Sequence, residues 1–285
     1  MTVSLGAVGV GFRSRRRIPA TVVACLAVLA VALLAVLLGP LLFPGATKQD
    51  ILSSLMPAGS PGHPLGTDEL GRDILALTVA GAASALVGPV CVAVGSMLLG
   101  ILLGTLAGYE RGPLDFAISR WTDLLLALPV LLAAIVVSGV FGGGYWTTVA
   151  LLVLLFSPSD IRIVRAGVLE QAARPYIEAA QMLSLSRWRV MFRHILPNVS
   201  SLVITNAMLN VAFALVAFSS LSFLGVGVPP GTADWGRQLT DNRAIMFDNP
   251  AAVIVPALLI IAVACSVNLV GDWLGQRLTR SGGVA

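Results

Sequence analysis

The sequence is short of charge. Aspartate, glutamate, lysine and arginine make up 11% of its 285 residues, and 57% are hydrophobic, whereas a soluble domain carries about 25% charged residues. Water is therefore not the solvent for most of this chain. Lysine is nearly absent, Lys48 being the single example. No G-x-x-x-x-G-K-[ST] loop occurs, which excludes the usual backbone cradle for ATP in this chain. Histidine is equally scarce. His63 and His194 stand far apart, with no H-E-x-x-H helix, so they do not read as ligands of one metal. The three cysteines, Cys25, Cys91 and Cys265, all fall inside apolar runs, where cysteine behaves as a small hydrophobe. Neither a disulfide framework nor zinc-ligand spacing is present.

Two further absences bear on function. The interiors of the apolar runs hold no carboxylate and no histidine; Asp123 and Asp160 are read as solvated charges near the ends of their helices. Proton- or sodium-driven carriers place ionisable groups within the membrane, so that class is disfavoured. A serine nucleophile would also lack a base. No catalytic residue, metal or cofactor is expected. The formal charge of +4 comes from arginines that flank apolar runs and do not interleave with aromatics. It is read as membrane orientation, not nucleic-acid binding.

What the sequence does contain is long uncharged runs. A bilayer core about 30 Å thick needs roughly 20 apolar residues per helix, because backbone polar groups in lipid must pair within the helix. Residues 18–43 follow Arg13, Arg15, Arg16 and Arg17 and are too long for a signal-peptide core, so they read as a retained first helix behind a cytoplasmic tail, residues 1–17. Residues 44–77 form an extracytoplasmic loop rich in Gly and Pro. A core of residues 78–285 then carries helices two to six. Helix two lies within 74–109, closed by Gly112-Pro113. Helices three and four divide the run 124–159 at Gly142-Gly143-Gly144, with kinks at Pro129 and Pro158. An arginine-rich cytoplasmic loop follows from Asp160 to Arg193. Helix five lies within 198–222 and helix six within 251–271. Lys48, Arg72, Arg237 and Arg243 are the only basic residues on the outer side under this scheme, which places both termini in the cytoplasm. Gly100, Gly104 and Gly108 recur every four residues. They either line a face for close helix approach or reflect the ordinary frequency of glycine in membrane helices.

The internal loop holds Tyr176-Ile177-Glu178-Ala179-Ala180-Gln181-Met182-Leu183-Ser184 and then His194-Ile195-Leu196-Pro197. Small residues at Ala179 and Ala180 would let a short helix seat in a partner's groove; an amphipathic helix on lipid headgroups, favoured by arginines and Trp188, is the alternative. The spacing of Glu-Ala-Ala to the Leu-Pro ending resembles the EAA loop of ABC importer permeases. In that family the loop, here about 166–197, is the coupling helix that fits a cleft on the ATPase subunit.

Two other segments extend the resemblance. His63-Pro64-Leu65-Gly66-Thr67-Asp68-Glu69-Leu70-Gly71-Arg72-Asp73 is similar to the segment before helix two in dipeptide and oligopeptide permeases of the DppC/OppC type. Leu221-Ser222-Phe223-Leu224-Gly225-Val226-Gly227, with Asp234-Trp235-Gly236, resembles that branch's segment after helix five, and Asn268-Leu269-Val270-Gly271-Asp272 resembles its ending. The pattern is broken at Ser184, where the family has Gly, and after Asp272, where Arg-Asp and Asp-Pro are missing. Without the family, Asp68, Glu69, Arg72 and Asp73 either pair locally and cap helix two or meet a partner, and Trp235 is either a headgroup anchor or a solute contact.

The resemblance implies an all-α type I importer permease, multi-pass in the bacterial plasma membrane and in contact with the lipid bilayer. It implies a second permease of the DppB/OppB type, two ATPase subunits that bind ATP and Mg, and an extracytoplasmic solute-binding protein. The solute would be a short peptide. A secondary transporter or channel, and a membrane enzyme or scaffold, are the rival readings.

Overall fold

A computed structural model describes residues 18–282. The expected tail of residues 1–17 with its four arginines, residues 283–285 and the side chains of residues 279–282, Arg280 among them, lie outside the described residues. The described chain is all helical, with isolated β-bridges and no strand among its elements. Five helices are long and apolar enough to cross a bilayer, and one bent pair raises the number to six.

Helix α1, Ala20–Leu42, is uncharged throughout and begins without a side-chain cap. Helix α2, Ile74–Glu110, starts where the Asp73 carboxylate accepts the Ala76 N–H at 2.7 Å, which satisfies one of the donors left over at a helix start. Its 37 residues extend about 55 Å at 1.5 Å per residue, so it outreaches the hydrocarbon core. It ends at Arg111, φ 54°, ahead of Gly112 and Pro113.

Helices α3, Gly112–Leu126, and α4, Val130–Phe141, meet at 87°. The break falls at Leu128-Pro129, because the residue before a proline is driven out of the helical region. The kink expected at Pro129 is therefore a full corner. Pro158 leaves helix α5, Tyr145–Ala172, unbroken. Proline cannot donate to the Leu154 carbonyl, and the Ser157 hydroxyl does so instead at 2.9 Å.

Helix α5 also overturns the boundary read from polarity at Asp160. It continues for twelve residues beyond that point to Ala172, and Arg162 and Arg165, two of the arginines assigned to a loop, are on the helix, paired with α3. Arg165 makes a bidentate bridge to Asp115 at 2.5 and 2.6 Å, and Arg162 pairs with Asp123.

The short α6, Pro175–Met182, leads to α7, Arg187–Arg189, a π-helical stretch Val190–Ile195, and α8, Leu196–Phe223. These last three run as one 37-residue helix. Helix α9, Trp235–Asp241, is a short helix with Trp235, Gly236 and Gln238 buried, and α10, Ala251–Gly282, closes the fold. The tightest seam joins α2 to α5. A Cβ on Gly100 would stand 2.5 Å from the Asp160 Cβ, one on Gly104 2.7 Å from the Ile161 carbonyl, and one on Gly108 2.9 Å from the Arg165 carbonyl. Of the two readings of these glycines, close approach of helices is the one found.

Candidate functional site

At one end of the bundle, α6 is held from within. Pro175 opens it, where a missing N–H is harmless, and Ile177 and Ala180 occupy the same face three residues apart. Both are buried with Val164 and Val168 of α5 and Val190, Ile195 and Val199 of the following helix. Polar ties surround this plug: Arg187 to Glu110 at 2.8 Å, Tyr176 Oη to Gln171 at 2.9 Å, and Asn198 Nδ2 to Tyr176 at 3.2 Å. The opposite face is open. Glu178 and Ala179 are exposed, Tyr176 is 40% exposed, and Met182 and Leu183 are 83% and 75% exposed. Ala180 is thus a correction to the sequence reading, since it packs into its own chain and not onto an outward docking face. Leu196 and Pro197 form the first turn of α8, and the half-buried His194 offers its carbonyl to Asn198 Nδ2 at 2.7 Å.

The turn after α6 explains position 184. Ser184 has φ 56°; its N–H bonds to the Gln181 carbonyl at 2.9 Å and the Leu185 N–H reaches the Ala180 carbonyl at 3.4 Å. This is the Schellman arrangement, whose left-handed residue is normally glycine.

The opposite end gathers the other two segments around the start of α2. Thr67, Asp68 and Arg72 are buried. The Asp68 carboxylate accepts the Arg72 Nε–H at 2.6 Å and the Arg72 and Leu70 backbone N–H groups at 2.8 and 3.0 Å. Gly66 and Gly71, at φ 78° and 71°, make the turns that fold this loop back on itself. His63 Nδ1 lies 2.8 Å from Asp73, the α2 cap. Asp68, Arg72 and Asp73 are thus paired locally, while Glu69 is exposed. Arg72 also reaches Asp241 of α9 at 3.5 Å, which joins the two segments.

Ser222, Phe223 and Leu224 end α8, and Gly225 turns the chain at φ 81°. Trp235 is 2% exposed and donates its indole N–H to the Thr78 carbonyl at 2.8 Å. It is a core residue, which corrects the reading of a headgroup anchor and the alternative of a solute contact. Gly236 lies against the Ser219 backbone, where a Cβ would stand 2.5 Å from the carbonyl oxygen. Burial pushes the neighbouring Asp234 carboxyl above the usual carboxylate range, although it accepts the Arg237 N–H at 3.0 Å.

Between these ends a groove of about 590 Å³ opens along the bundle, lined by residues of α3, α4, α5 and α8. Asp160 sits behind its wall, fully buried. The sequence reading of a solvated interfacial charge is wrong for this residue: Oδ1 accepts Asn206 Nδ2 at 2.5 Å and Asn210 Nδ2 at 2.6 Å. The asparagines escaped notice as well. Their spacing of four on one helix face, inside an apolar run, was the available signal.

The comparisons with known proteins match this architecture. Residues 100–280 match the family described as binding-protein-dependent transport system inner membrane component. The chain belongs to this family. It is 36% identical over 77% of its length to a glutathione transport system permease protein of Pectobacterium atrosepticum, covering 73% of that protein. It is 35% identical over 79% of its length to a di/tripeptide transport system permease protein of Pseudomonas aeruginosa, covering 74% of that protein. A crystal structure of an amino acid ABC transporter with histidines shares the fold, with a TM-score of 0.51 at 19% identity, covering 70% of this chain and 94% of the other. The chain is accordingly a multi-pass inner-membrane permease subunit of a bacterial ABC transporter.

Proposed function

We propose that this permease carries short peptides into the cell, driven by ATP that separate ATPase subunits hydrolyse beneath the α6 end. The observation that carries the coupling role is the two-sidedness of α6. Ile177 and Ala180 lock it to α5 and α8, while Glu178, Ala179, Met182 and Leu183 remain outward. A partner that grips the outward face would move α5 and α8 with it, and both helices line the groove. ATP then shifts the equilibrium between two states of the groove by its difference in affinity for them.

In this reading the α6 end and both termini face the cytoplasm, and the loop of residues 44–73 with α9 faces outward toward a solute-binding protein. The groove is open on one side and is completed by a second permease. Peptide as the solute rests on the names of the two relatives. The test is uptake of the dipeptide Ala-Ala by the co-expressed subunits in liposomes with the binding protein. Uptake that needs ATP supports the assignment; uptake driven by an ion gradient without ATP would favour a secondary transporter.

A further inference from the structure

The helix that runs unbroken from Arg187 to Phe223 is not regular. Over Val190–Ile195 it widens into π-helical geometry, and the Leu196 N–H closes the stretch on the Met191 carbonyl. The cause stands directly behind it. Pro197 has no N–H to give the Arg193 carbonyl, and its ring would strike that carbonyl in a regular turn; a wider turn relieves the clash. Prolines and π-helical turns are the usual places where a long helix bends, and π-helical turns recur at functional sites.

This turn lies on the path from α6 to the groove. Helix α6 packs on the π-helical stretch more than on α8 itself, and Val190 and Ile195 are buried with Ile177 and Ala180. Movement of α6 therefore enters α8 through the turn that bends most easily. A bend there would absorb the movement before it reached Asn206, Asn210 and Phe213 in the groove wall. A relay of hydrogen bonds crosses the turn from outside. The Asn198 side-chain amide donates to the His194 carbonyl within the π-helical stretch at 2.7 Å and to Tyr176 Oη of α6 at 3.2 Å. Tyr176 in turn donates to Gln171, in the last turn of α5, at 2.9 Å. Asn198 is exposed and Tyr176 is 40% exposed, so burial does not place this pair. One amide thus fastens the π-helical turn to both α6 and α5.

We propose that Asn198 and Tyr176 are positioning residues for energy coupling: their hydrogen bonds stiffen the π-helical turn, so that the pull of an ATPase on α6 arrives at the groove as a movement of α8 and is not lost in bending. The proposal rests on the reading of α6 as the ATPase contact and goes beyond it, because the turn and its amide act without touching the ATPase. Cutting the relay leaves docking and ATP hydrolysis in place and lowers the solute moved per ATP.

The experiment compares the unaltered complex, reconstituted with Ala-Ala and loaded binding protein, with Tyr176→Phe, Asn198→Ala and the double variant. Three quantities are read: ATPase retained on purification, ATP hydrolysis, and uptake per ATP. A hydrogen bond of this kind is worth a factor of about two to ten in an equilibrium. Each single variant should keep its ATPase, hydrolyse within about twofold of the unaltered rate, and lose about two- to tenfold in uptake per ATP. The double variant should be no worse than the weaker single one, because both cut one relay. Spin labels on Arg189→Cys and Leu202→Cys give a readout that does not depend on the solute, with Cys25, Cys91 and Cys265 replaced by serine. Both positions are exposed and lie on either side of the turn, about 20 Å apart at 1.5 Å per residue. ATP with vanadate should leave their separation unchanged in the unaltered complex and change it in the variants. A separation that stays unchanged in the variants too, or single losses that multiply in the double variant, overturns the proposal. If the unaltered complex holds no ATPase, the docking reading fails and the proposal falls with it. If the ATPase is held while the variants couple normally, docking stands and the stiffened turn alone is refuted.

Discussion

Replacing Gly104 by alanine tests the α2–α5 seam on which the bundle rests. In an open helix the change stabilises, since alanine is favoured over glycine by about 1 kcal/mol. At position 104 the new Cβ would stand 2.7 Å from the Ile161 carbonyl oxygen, 2.9 Å from Val164 Cβ and 3.1 Å from the Arg165 nitrogen. Two of these atoms are backbone and cannot swing aside, so the helices must part by about half an ångström or more. A gap of that size forfeits a quarter to a half of each dispersion contact along the seam, and overpacking of this kind costs about 1–3 kcal/mol. Between membrane helices close packing is a main attraction, with no hydrophobic force to compensate. Set against the gain of about 1 kcal/mol, the expected net loss is about 0–2 kcal/mol, or up to several degrees of melting temperature at roughly 2–4 °C per kcal/mol. Gly139 of α4 is the control, because nothing lies within 4 Å of its Cβ position. Gly139→Ala should raise the melting temperature by a degree or two. Thermal unfolding of the purified complex, followed by loss of its monodisperse peak, reads both. Equal stabilisation by the two substitutions would refute the close seam.

Three further predictions follow from single side chains. Ser184→Gly should stabilise the α6 turn by roughly 0.5–1 kcal/mol, because the left-handed conformation costs a residue with a Cβ about 1–2 kcal/mol while glycine adds some backbone entropy to the unfolded chain; a lower melting temperature would contradict the turn. Ala179→Asp and Ala180→Asp should part company: the exposed site keeps a folded chain that loses its ATPase, and the buried site loses the chain, as read from yield and co-purification. Arg72→Ala leaves the buried Asp68 unpaired and should destabilise by about 3–5 kcal/mol, which limited proteolysis of residues 44–73 would report.

The helices were readable where one residue class dominated, and unreadable where distant residues decided. Helices α1 and α2 stand out as uncharged runs, with Asp73 and Gly112-Pro113 as punctuation. The course of α5 past Asp160 was not legible, because its arginines are neutralised by Asp115 and Asp123, fifty and thirty-nine residues away in sequence. Asp160 was misplaced for the same reason: its partners come from α8. Trp235 looked like an interfacial residue until Thr78 supplied an acceptor for its indole. Ala180 was legible in part, since Ile177 three residues earlier marks the inward face of α6 and so assigns Ala179, not Ala180, to the outward one. The need for a left-handed residue at 184 was visible only through the family pattern that Ser184 breaks.

The central claim is that the outward face of α6 is a docking surface for an ATPase. It is tested most directly by purifying the tagged chain from its native membranes in mild detergent, once unaltered and once as Ala179→Asp, and identifying the companions by mass spectrometry. The account predicts an ATPase and a second permease at comparable stoichiometry with the unaltered chain, and the second permease alone with the variant. An unaltered chain that emerges by itself, or a variant that retains its ATPase in full, would contradict it.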